Sequence, residues 1–191
     1  MMYGLILAGG RSTRMGQDKS NLFYHQNPQR IYLYQLLENF CEKVFISARK
    51  EQISVWNDQL NYIEDSVSSE GPLSGIVSAY EKYPEESWLV VACDMPFVDQ
   101  NTISFLLKYQ DPQAYVNVFQ NPQTLDYEPL LGLWHSKTGH LLKEFYANGQ
   151  RSPRRFLRQI NCHAIAPQNT HWLLNANDPE EYAQILEIMR K

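Results

Sequence analysis

The sequence predicts an α/β fold built around a parallel sheet, and two apolar runs carry that expectation. Tyr3 to Leu7 and Trp88 to Ala92 are apolar along nearly their whole length, as strands covered on both faces must be. Each run is followed at once by residues that bear chemistry. The first gives way to Ala8-Gly9-Gly10-Arg11-Ser12-Thr13-Arg14-Met15-Gly16-Gln17-Asp18-Lys19 and the second to Cys93-Asp94-Met95-Pro96. Open α/β sheets bind ligands just past the carboxyl ends of such strands. The opening loop combines glycines, which let backbone approach a ligand closely, with Arg11, Arg14 and Lys19. That is the composition of an anion cradle, with a nucleoside triphosphate or another polyphosphate as its ligand. It is not a P-loop, because five residues separate Gly10 from Gly16 and Gln17 follows. The dinucleotide fingerprint Gly-x-Gly-x-x-Gly is missing as well.

The remaining elements follow in order. Leu22-Phe23-Tyr24 is a short apolar piece. Pro28 is suited to open a helix, since its missing N–H would be unpaired there, and Leu33, Leu36, Leu37 and Phe40 give that helix one apolar face to about Glu42. Val44 to Ala48 reads as the second strand, with helical or irregular sequence to Leu60. Tyr62 to Asp65 reads as a short strand ending in a carboxylate. Gly71-Pro72 forces a turn, and Ile76 to Tyr83 reads as helix. Asp99 is placed to cap a helix whose face is Ile103, Leu106 and Leu107. Ala114 to Phe119 and Pro129 to Trp134 read as strands around a polar loop, Gln120 to Tyr127. Ser136 is a candidate cap for a helix carrying Leu141, Leu142 and Phe145, stopped by Asn148-Gly149. Ser152-Pro153 opens a short helix bearing Arg154, Arg155 and Arg158 beside Phe156-Leu157. Cys162 to Ile165 reads as a strand. Asp178, Pro179 and Glu181 form a well-defined start for the last helix, whose face is Tyr182, Ile185, Leu186 and Met189.

Composition narrows the function classes. The chain has 191 residues, 43% of them hydrophobic and 20% charged, enough for a single globular domain over 1–191 with a substantial core. A net charge of −4 argues against nucleic acid as a partner. Positive charge is instead local, in the opening loop and in Arg151, Arg154, Arg155 and Arg158, which suggests two sites for small anions. Cys41, Cys93 and Cys162 have neither disulfide-framework nor zinc spacing and read as buried free thiols. The apolar N-terminus is too short for a membrane span and lacks a cleavage pattern, so a cytoplasmic protein is expected. The five histidines, His25, His135, His140, His163 and His171, lack metal spacing and carry no assigned role.

The loop Leu7-Ala8-Gly9-Gly10 with Arg14-Met15-Gly16 and Asp18-Lys19 resembles the signature of the nucleotidyltransferases, most closely the molybdenum cofactor guanylyltransferases. Three further motifs fit that family in order: Gly71-Pro72-Leu73-Ser74-Gly75, Cys93-Asp94-Met95-Pro96 and Asn175-Ala176-Asn177-Asp178-Pro179. The resemblance implies a three-layer, Rossmann-like nucleotidyltransferase fold with a mostly parallel sheet. It also implies transfer of GMP from GTP to the terminal phosphate of molybdenum-bound molybdopterin, with release of pyrophosphate. Arg14, Lys19 and Asp94 are the implied catalytic residues, with Asp94 holding Mg²⁺, which takes hard oxygen ligands and shares them with substrate phosphates. Leu7, Ala8, Gly9, Gly10, Lys19, Ser47, Asp65, Gly71, Pro72, Leu73 and Asp94 are the implied nucleotide contacts. Arg151, Arg154, Arg155, Asn175 and Asn177 are candidates for the acceptor. On their chemistry alone the three arginines equally suit a solvated helix face, and the asparagines a turn. Partners implied are GTP, the molybdopterin cofactor, and insertion proteins or apo-enzymes that receive the product.

Within that resemblance, Gly9, where related cytidylyltransferases carry Ala, and Asp65, which matches the family's Asp after the third strand, imply guanine. Ser47 departs from the Asn that guanylyltransferases often carry, and Tyr24-His25-Gln26-Asn27 departs from their usual Asn-Gly-Lys-Pro turn. Two rivals follow. One is a nucleotidyltransferase that uses CTP, or a sugar or polyol phosphate acceptor; the other is a non-catalytic nucleotide-binding regulator.

Overall fold

The computed structural model describes residues 1–10, 15, 16, 18–56, 58–65 and 71–190. Seven strands form one sheet: β1 (Met2–Leu7), β2 (Lys43–Ala48), β3 (Tyr62–Glu64), β4 (Ser87–Ala92), β5 (Val116–Gln120), β6 (Tyr127–Trp134) and β7 (Cys162–Ile165). Their order is β3-β2-β1-β4-β6-β5-β7. The pairs β1–β2, β1–β4, β2–β3 and β5–β7 are parallel, whereas β6 runs antiparallel to both β4 and β5. The sheet is therefore mostly parallel, with one reversed strand between its larger and smaller halves.

Period-two alternation sorts the strand residues onto two faces. Ile6, Val44, Ile46, Leu89 and Val91 pack with α1 (Gln29–Leu37) and α4 (Gln100–Lys108) on one side. Tyr3, Leu5, Leu7, Phe45, Trp88 and Val90 pack with α3 (Leu73–Lys82) and α5 (Gly139–Ala147) on the other. These are the three layers expected from the sequence. A third, smaller cluster joins Met15, Leu22 and Tyr24 to Ala176 and Ile185 of α7 (Pro179–Met189), so the last helix clamps the segment that follows the glycine loop.

Several boundaries differ from the sequence reading. α1 stops at Leu37 rather than near Glu42, because Phe40 and Cys41 donate back to Leu37 in a closing turn. Ser136 opens a 3-10 turn, Ser136–Thr138, and does not cap α5. Asp178 does cap α7, accepting from Glu181 N at 2.9 Å. The Glu181 carboxylate reaches one residue further back than a capping box requires and accepts from Asn177 N at 2.7 Å. Cys93 is buried, whereas Cys41 and Cys162 are only partly so, and all three are free. Among the described residues no helix is long and apolar enough to cross a membrane.

Candidate active site

Chain direction creates the site. From β1 the chain moves outward to β2 and β3 on one side, then returns to place β4 on the other side of β1. The carboxyl ends of β1 and β4 thus open onto a topological switch point, the crevice where α/β sheets bind ligands. Leu7 pairs with Ala92, and Cys93 N extends the ladder onto Leu7 O at 3.1 Å. Ala8 and Asp94 therefore leave the sheet side by side.

Lys19 arrives from the far end of the glycine loop. Asp18 caps a 3-10 turn, Lys19–Asn21, by accepting from Ser20 N at 3.0 Å and from the Ser20 hydroxyl at 2.7 Å. Lys19 Nζ then donates to Asp94 Oδ2 at 3.1 Å and to Asn177 Oδ1 at 2.8 Å. Three motifs far apart in sequence meet at one ammonium. The C-terminal segment is fixed here as well, since Ala176 N donates to Asp94 O at 3.0 Å. The site floor is pinned by Gln29 Nε2 on Met95 O at 3.3 Å, and by His25, whose Nε2 pairs with Pro96 O at 3.1 Å while its ring stacks on Tyr32. Burial, and then the neighbouring Asp94 carboxylate, push the Tyr24 phenol up.

A second polar group lies on the β2–β3 side. Ala8 N donates to Ser47 O at 2.9 Å, and Asp65 N to Ala48 O at 3.0 Å. These bonds align Ser47 and Asp65, and the Ser47 hydroxyl donates to Asp65 Oδ1. Burial raises the Asp65 carboxyl above its ordinary value, and the Ser47 hydroxyl and Arg49 pull it part of the way back. Two glycines make the room. A Cβ on Gly9 would overlap Asp65 Oδ2, and one on Gly75 would overlap Ser47 Oγ and come 2.8 Å from Leu7 Cδ2. Gly71 has φ +123°, a conformation that L side chains avoid, which accounts for glycine ahead of Pro72.

The sequence-predicted residues divide accordingly. Lys19, Asp94 and Asn177 converge, as do Gly9, Ser47 and Asp65. The Ala8 N–H is already committed to Ser47, so a backbone cradle begins at Gly9. Gly10, Gly71 and Pro72 are exposed, whereas the side chains of Leu7 and Leu73 are buried in the core and leave only backbone for a ligand. Arg11 and Arg14 lie outside the described residues. Arg151 is turned onto the end of α5, donating to Tyr146 O at 2.6 Å with its guanidinium 3.8 Å from the Tyr146 ring centroid. Arg154 sits on α6 (Pro153–Leu157), donates from Nε to Tyr127 O at 3.1 Å and faces Asp126; Arg155 is exposed. Asn175 Oδ1 is buried without a hydrogen-bond partner among the described residues.

Two residues escaped the sequence reading. Glu128 is a buried acid on β6. Burial raises its carboxyl, with Leu130 N–H, Arg154 and Asn175 opposing and Asp94 adding to the rise. The available signal was an acid standing directly before the apolar run that opens at Pro129. Gln52, buried on α2 (Lys50–Val55), bonds to both ends of the glycine loop. Its signal was Arg49-x-x-Gln52, the spacing between a helix N-cap and its third residue.

Mg²⁺ fits this donor set. Asp94 is a hard carboxylate with its side chain 23% exposed, and Mg²⁺ usually takes one or two carboxylates plus phosphates and water. Among the described residues no group of three or more His, Cys, Asp or Glu side chains gathers to hold a metal.

Comparison with known proteins identifies the family and the fold. The model of the MobA-like NTP transferase domain matches residues 4–167. A molybdenum cofactor guanylyltransferase of Pseudomonas entomophila is 30% identical, the match covering 92% of this chain and 93% of that one. A molybdenum cofactor biosynthesis bifunctional protein of Synechocystis sp. is 34% identical over 96% of this chain, which spans only 53% of that protein's length. Among solved structures, molybdopterin-guanine dinucleotide biosynthesis protein A of Archaeoglobus fulgidus superposes with a TM-score of 0.82 at 19% identity, over 98% of each chain.

Proposed function

This chain belongs to the MobA-like NTP transferase domain family and is a nucleotidyltransferase, and on that premise we propose that it transfers GMP from GTP to the terminal phosphate of molybdenum-bound molybdopterin. The products are the guanine dinucleotide cofactor and pyrophosphate. We take 1–191 as one cytoplasmic nucleotidyltransferase domain, its N-terminal half holding the nucleotide and its C-terminal half the acceptor. Insertion proteins or apo-enzymes would receive the product.

One observation carries the reading: Lys19, Asp94 and Asn177 meet at the switch point beside the glycine loop. The acceptor phosphate is already anionic at neutral pH, so no covalent enzyme intermediate is needed. One of its oxygens attacks the α-phosphorus in line, the bond from that phosphorus to the bridging oxygen breaks, and its electron pair leaves with pyrophosphate. The barrier is the approach of one anion to another. Catalysis then rests on positioning and charge neutralisation. Backbone N–H groups from Gly9 onward hold phosphate oxygens, and Lys19 and Arg14 neutralise charge on the transferring and leaving groups. Asp94 would hold Mg²⁺, which when bound supplies positive charge to the phosphate oxygens. Asp65 is the base reader: a carboxylate accepts both the N1–H and the N2–H of guanine. Asn175, Asn177, Arg151, Arg154 and Arg155 are the acceptor-side candidates, and the unpartnered Oδ1 of Asn175 gives that residue open hydrogen-bonding capacity.

The test is pyrophosphate release with Mg²⁺ and protein loaded with molybdopterin as acceptor, comparing GTP, CTP, ATP and UTP. Release with GTP alone is expected. Release with CTP would move the product to the cytosine dinucleotide, and tight binding of GTP with no release from any nucleotide would point to a different acceptor or to a regulator.

A further inference from the structure

We infer that Gln52 is a positioning residue that ties the two ends of the glycine loop to each other and to the corner between β2 and α2. Its side chain is buried, with 5% exposure. Nε2 donates to Ala8 O at 2.9 Å, where the loop leaves β1, and to Asp18 Oδ2 at 2.7 Å, where the loop enters the turn carrying Lys19. Oε1 accepts from Arg49 N and Arg49 Nε, both at 3.1 Å. Two donor hydrogens and two lone pairs are the full capacity of a carboxamide, and here all are used. A carboxylate in its place could not donate, and an ammonium could not accept. Nine residues, 9 to 17, separate these anchors in sequence, and the carboxamide bridges the two ends directly. Gln52 touches no reacting atom. It sets the distance between the N–H groups that begin at Gly9 and the ammonium of Lys19. This inference rests on the loop being the triphosphate cradle.

A plain helix-capping role is the competing explanation, and one substitution separates the two. Glu at the third position of a helix caps as well as Gln and suits the positive end of the helix dipole. Gln52→Glu would keep both bonds from Arg49, remove both donations to the loop and set a carboxylate against Asp18. Calorimetry with Mg²⁺ is the readout, with GTP and guanosine as probes, since guanosine meets the base pocket but not the cradle. Gln52→Glu is expected to weaken GTP on the order of ten- to a hundredfold, the worth of a charge-assisted hydrogen bond, and to leave guanosine unchanged. Adding Asp18→Asn supplies an amide donor to the introduced carboxylate and is expected to recover most of the GTP loss. Gln52→Met, which removes the bonds without adding charge, is expected to shift the GTP-to-guanosine ratio the same way and serves if Gln52→Glu melts early. Unchanged GTP binding in Gln52→Glu, equal loss of both ligands, or no recovery with Asp18→Asn would each overturn the inference. A wild-type protein that binds GTP no better than guanosine would overturn the cradle itself, a separate failure.

Discussion

Gly9→Ala probes the base pocket where it is tightest. A Cβ there overlaps Asp65 Oδ2 and lies 3.3 Å from Asp65 Cγ. Gly9 is not among the glycines with positive φ, so alanine adopts the backbone without strain and the perturbation reaches only what the methyl meets. Asp65 must swing away, and the Ser47 hydroxyl loses its acceptor. Overpacking in a closed core costs about 1–3 kcal/mol. Asp65 stands at a strand end rather than inside a layer, so about 1 kcal/mol of stability is the expected loss, read as a small drop in Tm. The larger effect falls on the nucleotide. One charge-assisted hydrogen bond to guanine, about 1.5–3 kcal/mol, corresponds to a rise in the KM for GTP on the order of ten- to a hundredfold. kcat should change little, because Lys19 and Asp94 reach the site from other elements. The assay is initial-rate pyrophosphate release with GTP and CTP, alongside thermal melting. An unchanged KM for GTP in a normally folded variant would refute Asp65 as the base reader.

Lys19→Ala or Asp94→Ala should each lower turnover at least about a hundredfold, the cost of removing one preorganised electrostatic partner, with the circular dichroism spectrum unchanged. Glu128→Gln keeps shape but removes charge beside Asn175 and Arg154, and should raise the KM for the pterin acceptor about tenfold while leaving that for GTP alone; equal KM values would remove Glu128 from the acceptor side. Arg30, buried against Asp58 at 3.1 Å and over Trp56 at 4.7 Å, is structural: Arg30→Met should cost about 2 kcal/mol in denaturant unfolding, less than a fully buried pair because Asp58 keeps some water. His135 has its pKa lowered from 6.5, by burial first and by Lys137 second, against Asp111, and its Nε2 accepts from buried Asn117 at 3.0 Å. The folded state resists the proton, so this contribution is fully present above pH 6.5 and is lost as pH falls through the lower folded value. Tm should drop as pH falls below the ordinary histidine value of 6.5, and His135→Gln should flatten that slope.

Local signals made most of the fold legible. The apolar runs at Tyr3 and Trp88 became neighbouring strands, and Asp99, Ser152 and Asp178 cap the helices they precede. Where the reading slipped, competing local bonds decided: the turn onto Leu37 ends α1, and a 3-10 turn takes Ser136. The reversed direction of β6 has no local signature, since alternation is the same in either direction. The Lys19–Asp94–Asn177 meeting rests on contacts between residues 75 and 158 positions apart, and the motif resemblance, rather than periodicity, pointed to it. Gln52 and Glu128 were missed because a polar residue in a short helix or beside a strand is ordinarily a solvated one, and the weak signals each carried do not show burial.

The sheet's two margins carry a separate consequence. β3 offers three residues, and its Tyr62 carbonyl already accepts from Lys82 Nζ at 3.4 Å; β7 offers four. Strands this short give another chain little to zip onto. A protein whose proposed acceptor, a large and charged pterin, must come and go at the open end of its sheet is thereby shielded at its sides from amyloid-like growth. Among the described residues, helices and loops are the broader surfaces on which one copy could meet another without recruiting the sheet.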